Sequence, residues 1–154
     1  MPDSASSGIK VAIRNRKARH EYHVLDTYEA GLVLQGTEVK SLRDGRANLQ
    51  DSYARFDRGE LWLLNLHISP YEAGNRYNHD PLRPRKLLLN RKELRKLVGQ
   101  VEQQGLTLVP LDIYFRHGRA KATIALVKGK QLHDKREDLK RREHERDVER
   151  AFKG

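Results

Sequence analysis

The sequence predicts a mainly β fold with helices: an OB-like antiparallel barrel of about six strands, two or three helices and a charged C-terminal tail. Three observations carry this expectation. Short apolar runs recur from residue 9 to residue 127, two pairs of them are joined by hairpin signals, and one segment between them has a helical period. Closure into a barrel removes the exposed edges that so many short strands would otherwise offer to other molecules. A two-layer α+β sheet is the alternative.

Length and composition set the bounds. A chain of 154 residues fits one domain and buries roughly 70% of its unfolded surface. With 34% charged residues, three Phe and one Trp, some segment must stand outside the core. The expected division is a flexible start over residues 1–8, a barrel over 9–127 and a basic tail over 128–154. No apolar run approaches the roughly 18 residues of a spanning helix, and the start lacks the apolar stretch of a signal peptide. A cytoplasmic protein without membrane partners is expected. The lack of cysteine removes disulfides and thiolate metal sites.

In chain order, IKVAI (9–13) and YHVLDTY (22–28) read as strands flanking NRKARHE, a basic island expected at the surface. GLVL (31–34) continues the second strand. QGTEVKSLRDG has the spacing of a short helix, with Val39 and Leu42 on one face and Gly45 as its stop. SYARFD (52–57) and ELWLLNLHI (60–68) form a hairpin through Asp57, Arg58 and Gly59. Residues 69–84 are rich in turn formers and read as a long surface loop. From Asn90, a candidate N-cap, Leu94, Leu97, Val98 and Val101 mark a helix that ends before Gly105. The last hairpin joins 106–115 to 119–127 through His117 and Gly118.

Charge suggests the partner. The formal net charge of +10 favours a polyanion, and nucleic acid is the leading choice over an acidic membrane. Residues 83–97 hold seven bases and one acid, and residues 1–20 five bases and one acid. The alternative is a solvated basic face. Tyr22, Tyr28, Tyr53, Tyr71 and Tyr77 lie close to basic residues, and exposed aromatics on barrels stack on unpaired bases, although at least half of these suit core packing better. Against them stands a nuclease reading that uses His79 and Asp80. No metal-ligand spacing on a predicted helix, glycine-rich phosphate loop or nucleophile motif supports it, and Asn78 and Asp80 before Pro81 are equally good turn formers.

The tail holds ten bases and seven acids from residue 128 onward, with only Leu132, Leu139, Val148, Ala151 and Phe152 as apolar side chains. Opposite charges four apart (Glu137 with Arg141, Asp138 with Arg142, Glu149 with Lys153) support a nascent helix that orders on a polyanion. An inert solvated helix is the alternative.

In NRKARHEY (15–22), QGTEVKSLRDGRANLQDSY (35–53), NHDPLRPRKLLLNRKEL (78–94) and KGKQLHDKRED (128–138), in that order and spacing, the sequence resembles the small protein B family, bacterial partners of transfer-messenger RNA. The resemblance implies an OB-type barrel that binds the tRNA-like domain of that RNA and enters stalled ribosomes with it. It implies no catalysis, cofactor or metal. Glu29, Leu88 and Asn90 fall where the family contacts the tRNA-like RNA. Lys17, Arg19, His20, Lys40, Arg43, Arg85, Lys86 and Lys121 are the expected phosphate or sugar contacts, with Tyr22 beside them. In the tail, disordered when free and helical in the empty mRNA channel, His133 falls where the family stacks on a decoding-centre base. Gly129, Lys130, Asp134, Lys135 and Arg136 belong to the same tail motif, while Gln131 and Leu132 depart from its usual polarity. The ribosome is the second partner, with elongation factor Tu and alanyl-tRNA synthetase as further candidates through the shared RNA. A generic basic ribosome-associated protein is the remaining alternative.

Overall fold

The computed structural model describes residues 8–71 and 78–129; for Arg19 it describes the backbone alone. In chain order the elements are β1 (Ile9–Arg14), α1 (Ala18–Glu21), β2 (Tyr22–Leu32), α2 (Gly36–Arg43), β3 (Ala47–Asn48), β4 (Tyr53–Asp57), β5 (Glu60–Leu64), β6 (His67–Ile68), β7 (Arg85–Leu88), α3 (Arg91–Gln104), β8 (Thr107–Arg116) and β9 (Arg119–Gly129). Strands β8, β4, β5, β7, β2 and β9 pair in that order, and β9 returns to β8, so six antiparallel strands form a closed ring. The open two-layer sheet is thereby excluded. β9 occupies one edge of β8 along its length, while β4 meets the other edge at Leu108 and β1 takes the rest of it, from Asp112 to Arg116. β3 and β6 form a separate short pair.

Local chemistry accounts for the elements. Both hairpin turns have two central residues at positive φ, Arg58 with Gly59 and His117 with Gly118, the form whose twist matches the flanking strands. α3 begins where Asn90 Oδ1 accepts the Glu93 N–H at 2.9 Å and ends at Gly105, which adopts the left-handed conformation. Its Leu97 is fully buried and joins Leu42 of α2 and the inward residues of the ring in one core. A second, smaller cluster of Ala18, Val109, Leu111, Ala125 and Val127 lies on the other side of β8 and β9. The basic island is not wholly at the surface. Asn15 is buried, its side-chain amide donating to the carbonyls of Leu49 and Pro110 and its Oδ1 accepting from the Ala18 N–H, which fixes α1 against this cluster.

Two strands differ from expectation. The run at 60–68 is divided by Asn65 at positive φ, giving β5 and β6. β7 was hidden because its alternation is inverted: Arg85 and Leu87 point inward, Lys86 and Leu88 outward. Arg85 is fully buried, as is Glu38 of α2. Arg85 Nε donates to Glu38 Oε2 at 2.6 Å, and the remaining guanidinium nitrogens donate to the carbonyls of Leu66, Pro81 and Asp80. Arg83 donates to Glu38 Oε1 at 2.5 Å, and the same oxygen accepts the Gln35 N–H at 2.7 Å in a capping box. One carboxylate therefore ties the start of α2 to β7 and the chain entering it.

Burial by itself would raise the Glu38 carboxyl, but hydrogen bonds from Arg83 and the Gln35 N–H, with the charge and hydrogen bonding of Arg85, outweigh it and hold the group below its ordinary range. Burial pulls Arg85 downward, and the Glu38 charge opposes that pull. A carboxylate depressed in the folded state contributes stability above its unfolded pKa, ~4.3 for glutamate, and loses it as pH falls through the folded value. Unfolding by urea should therefore become easier on acidification below about pH 4.3, with a shallower dependence in Glu38→Gln over that window. At neutral pH, Arg85→Ala should lose about 3–5 kcal/mol by removing the fully buried partner of Glu38 and leaving that carboxylate with Arg83 and the Gln35 N–H alone. Wild-type stability in Arg85→Ala would show that the pair does not hold the fold.

Candidate nucleic-acid interface

The outer face of the ring places several of the singled-out residues together. In register, Tyr114 of β8 stands opposite Lys121 of β9, Lys121 opposite Gly31 of β2, and Gly31 opposite Leu88 of β7. In the next row Asp112 stands opposite Thr123, and Thr123 opposite Glu29. Glu29, Lys86, Leu88 and Lys121 thus share one face across β2, β7 and β9, and Tyr114 extends it to β8. Leu88 is half exposed and lies close over Gly31, where a Cβ would come within 3.3 Å of the Leu88 Cβ. Glycine at 31 lets that leucine lie against the sheet.

Glu29 is held in place. The Tyr114 hydroxyl donates to its Oε2, and Arg116 donates to the same oxygen at 3.1 Å. Burial, then the hydrogen bond to Glu29 and that carboxylate's charge, push the Tyr114 phenol far above its ordinary value, so it stays a donor at any working pH. Thr123 donates to Asp112 at 2.5 Å beside this pair. Among the described residues, the Lys121 ammonium has no ion-pair partner. Lys86 pairs with Glu60 at 3.0 Å with both side chains more than a third exposed, an interaction of small worth that a phosphate can displace. Asn90 lies two residues beyond Leu88, where its Oδ1 caps α3 and its NH2 group makes no hydrogen bond among the described residues. Arg91, Lys92, Arg95 and Lys96 on the same helix are exposed.

The other expected contacts fall elsewhere. Lys17 precedes α1 without capping it and pairs with Glu21 at 3.3 Å; His20 and Tyr22 follow it, and the side chain of Arg19 lies outside the described residues. Tyr22 is seven residues from Glu29 along β2, roughly 23 Å. On α2, Lys40 lies over the Tyr71 ring at 5.4 Å and Arg43 over Phe115 at 4.5 Å. Gly129, the last described residue, stands opposite Tyr22 in the register, beside α1 and not beside Leu88. Lys130, His133, Asp134, Lys135 and Arg136 lie outside the described residues, as does Tyr77.

Some expectations are corrected. Arg85 is no surface phosphate contact, because its guanidinium is fully enclosed by Glu38 and backbone carbonyls. Tyr28 is buried, with its hydroxyl donating to Asp26 at 3.1 Å, and offers no ring to a base. The nuclease reading fails at His79, whose two ring nitrogens are taken by Thr37 Oγ1 at 2.8 Å and the Ile68 carbonyl at 2.9 Å within the fold. Asp80 accepts the Leu82 N–H as a turn residue. Among the described residues no cluster of three or more His, Cys, Asp or Glu could hold a metal ion. Sequence reading missed Tyr114 and Arg116, the two side chains that hold Glu29. The outward alternation of DIYFR was the available signal.

An outward leucine beside a held carboxylate and an uncommitted lysine suits unpaired bases and the backbone between them, which places the chain among small ring-type nucleic-acid-binding proteins. A family model described as SmpB protein matches residues 12–154, and the chain belongs to that family. The SsrA-binding protein of Desulforudis audaxviator (strain MP104C) is 61% identical over 145 residues, 94% of this chain and 95% of that protein. That of Nostoc punctiforme (strain ATCC 29133 / PCC 73102) is 62% identical over 149 residues, 96% of each. A chain solved in "tmRNA-SmpB: a journey to the center of the bacterial ribosome" superposes with a TM-score of 0.67 at 56% identity, covering 80% of this chain and 87% of that one.

Tyr114→Phe removes one of the two groups that hold Glu29. The loss should be about 1–2 kcal/mol of folding stability, less than for a fully buried charged hydrogen bond because Glu29 is partly solvated. Denaturant titration of the variant measures it; a change below about 0.3 kcal/mol would show that Arg116 alone suffices.

Proposed function

We propose that the chain binds the tRNA-like domain of transfer-messenger RNA, also called SsrA, through the β2, β7, β8 and β9 face, and delivers that RNA to stalled ribosomes for trans-translation. The relatives are SsrA-binding proteins, and the structural neighbour comes from "tmRNA-SmpB: a journey to the center of the bacterial ribosome". One observation carries the assignment of the face: Glu29, Leu88 and Lys121 stand in adjacent register rows, with Glu29 fixed by Tyr114 and Arg116. In this reading Glu29 accepts from base or ribose donors, Leu88 packs on a base face, Asn90 reads an edge through its NH2 group, and Lys86 and Lys121 take phosphates. Lys40 and Arg43 on α2, and Lys17, Arg19, His20 and Tyr22 around α1, contact further RNA backbone.

The protein acts by binding and not by catalysis, and it works in the cytoplasm. The tail takes a separate task. Gly129, the last described residue, stands opposite Tyr22, roughly 23 Å from Glu29 along β2, which supports a task separate from the Glu29 and Leu88 contact. In this reading His133 stacks on a decoding-centre base while Gly129, Lys130, Asp134, Lys135 and Arg136 follow the vacant mRNA channel.

Glu29→Ala, Leu88→Ala and Asn90→Ala should each weaken binding to the tRNA-like domain by about 1–3 kcal/mol in gel shifts, with the fold retained by circular dichroism. Unchanged affinity in all three removes this face from RNA binding. Lys86→Ala should flatten the slope of log affinity against log salt by about one.

Truncation after Lys130 should leave affinity for the isolated RNA nearly intact yet abolish peptide transfer on ribosomes that carry truncated message. His133→Ala should reproduce part of that loss. Normal transfer by the truncated protein would refute the separation of tasks.

A further inference from the structure

The outer face continues past Leu88. Lys86 of β7 stands opposite Trp62 of β5, and Trp62 opposite Arg55 of β4. Their neighbours Leu87, Leu61, Leu63 and Ala54 are buried, so alternation turns Lys86, Trp62 and Arg55 toward solvent. Trp62 retains intermediate exposure among the described residues. Trp62, Leu64 and Pro84 line a shallow pocket of about 350 Å3 with Arg55 and Asp57. Cations therefore flank a flat indole, one strand spacing, about 4.8 Å, to either side.

The chemistry narrows the occupant. A partly exposed tryptophan in a sheet suits a planar ring stacked on it, and the cations on the neighbouring strands suit negative charge on the backbone that carries that ring. A net charge of +10 draws a polyanion to the whole molecule. Lys86 already belongs to the face described above, so a strand of RNA lying across Leu88 needs only to run on by two strand spacings to reach Arg55. Asp57, at the rim of the pocket, stands opposite Glu60 at the hairpin end, and Glu60 pairs with Lys86 at 3.0 Å. A phosphate at Lys86 displaces that exposed carboxylate, while Arg55 and Trp62 stand in a row without acids.

We propose that Trp62 is a stacking platform for an unpaired base of the RNA held on the Glu29 and Leu88 face, with Arg55 and Lys86 taking the flanking phosphates. The proposal rests on the RNA-binding reading above and extends its surface from four strands to six. Base identity is read weakly here, because stacking on an indole accepts any base.

Trp62 is the single tryptophan of the chain, so its emission reports on this site alone. Titration of the full-length protein with the tRNA-like domain should quench that emission with the midpoint found by gel shift. Trp62→Phe, which keeps a ring, should hold affinity within about threefold, and Trp62→Ala should lower it about tenfold, the scale of one lost stacked base. Arg55→Ala, at an exposed position that folding does not need, should lower affinity about threefold and flatten its salt dependence. If emission and the affinities of Trp62→Ala and Arg55→Ala stay unchanged while Glu29→Ala and Leu88→Ala still weaken binding, the platform is wrong and the face stands. If none of the four variants changes affinity, the face itself is wrong. Normal RNA affinity in Trp62→Ala with lost peptide transfer on ribosomes would give the pocket to a ribosomal component and overturn its assignment to this RNA.

Discussion

The buried pair of Glu38 and Arg85 is the constraint on which the rest of the structure depends. Two charges taken fully out of water would be costly alone, and here every guanidinium nitrogen and both carboxylate oxygens have partners. The pair joins elements that no strand pairing connects: the first turn of α2 and the inward side of β7. β7 has only four residues, two registered pairs to β2 and three to β5. So short a strand is weakly specified by its backbone bonds. The arginine inside the ring fixes its register, because a slip of one residue would turn Arg85 to solvent and bring Lys86 into the core without a carboxylate.

From that register the functional face follows. With Arg85 and Leu87 inward, Lys86 and Leu88 must point outward, and Leu88 comes to rest over Gly31 beside Lys121. The same strand thus carries a structural cation on one side and, on the other, the outward groups proposed to meet the RNA. Charge in this protein is divided between two roles that composition cannot separate. Arg83, Arg85 and Arg116 are engaged with carboxylates of the fold, whereas Lys121 and the cations of α3 remain for a polyanion. Salt acts on these roles differently: exposed lysines exchange partners with phosphates freely, while an enclosed pair is screened little.

The same division explains what the sequence made legible. Both hairpins, α2 with its Leu42 and α3 with its cap and stop could be read because their signals are local: a two-residue turn, an N-cap side chain, a 3.6-residue period. β7 could not, since its alternation places arginine inside and leucine outside, and only the distant Glu38 explains why. Asn15 escaped for the same reason: a polar residue amid basic ones reads as surface until its partners at Leu49 and Pro110 are known. Of the candidate site, Glu29, Leu88, Asn90 and Lys121 entered through resemblance to a family, and the fold supplies the geometry that links them. Tyr114 and Arg116, which hold Glu29, lie more than 80 residues from it in sequence.

The central claim is that Arg85 serves the interior while Leu88, three residues later, serves the RNA. Nitrogen–proton NMR of the labelled full-length protein, titrated with the tRNA-like domain, tests both halves in one spectrum. An enclosed guanidinium exchanges its protons slowly, so the Arg85 Nε–H signal should be visible at neutral pH and should stay in place at saturation. The backbone amides of Glu29, Gly31, Leu88 and Lys121 should move together with a single affinity. An Arg85 signal that shifts with the RNA while those amides remain still would contradict the account.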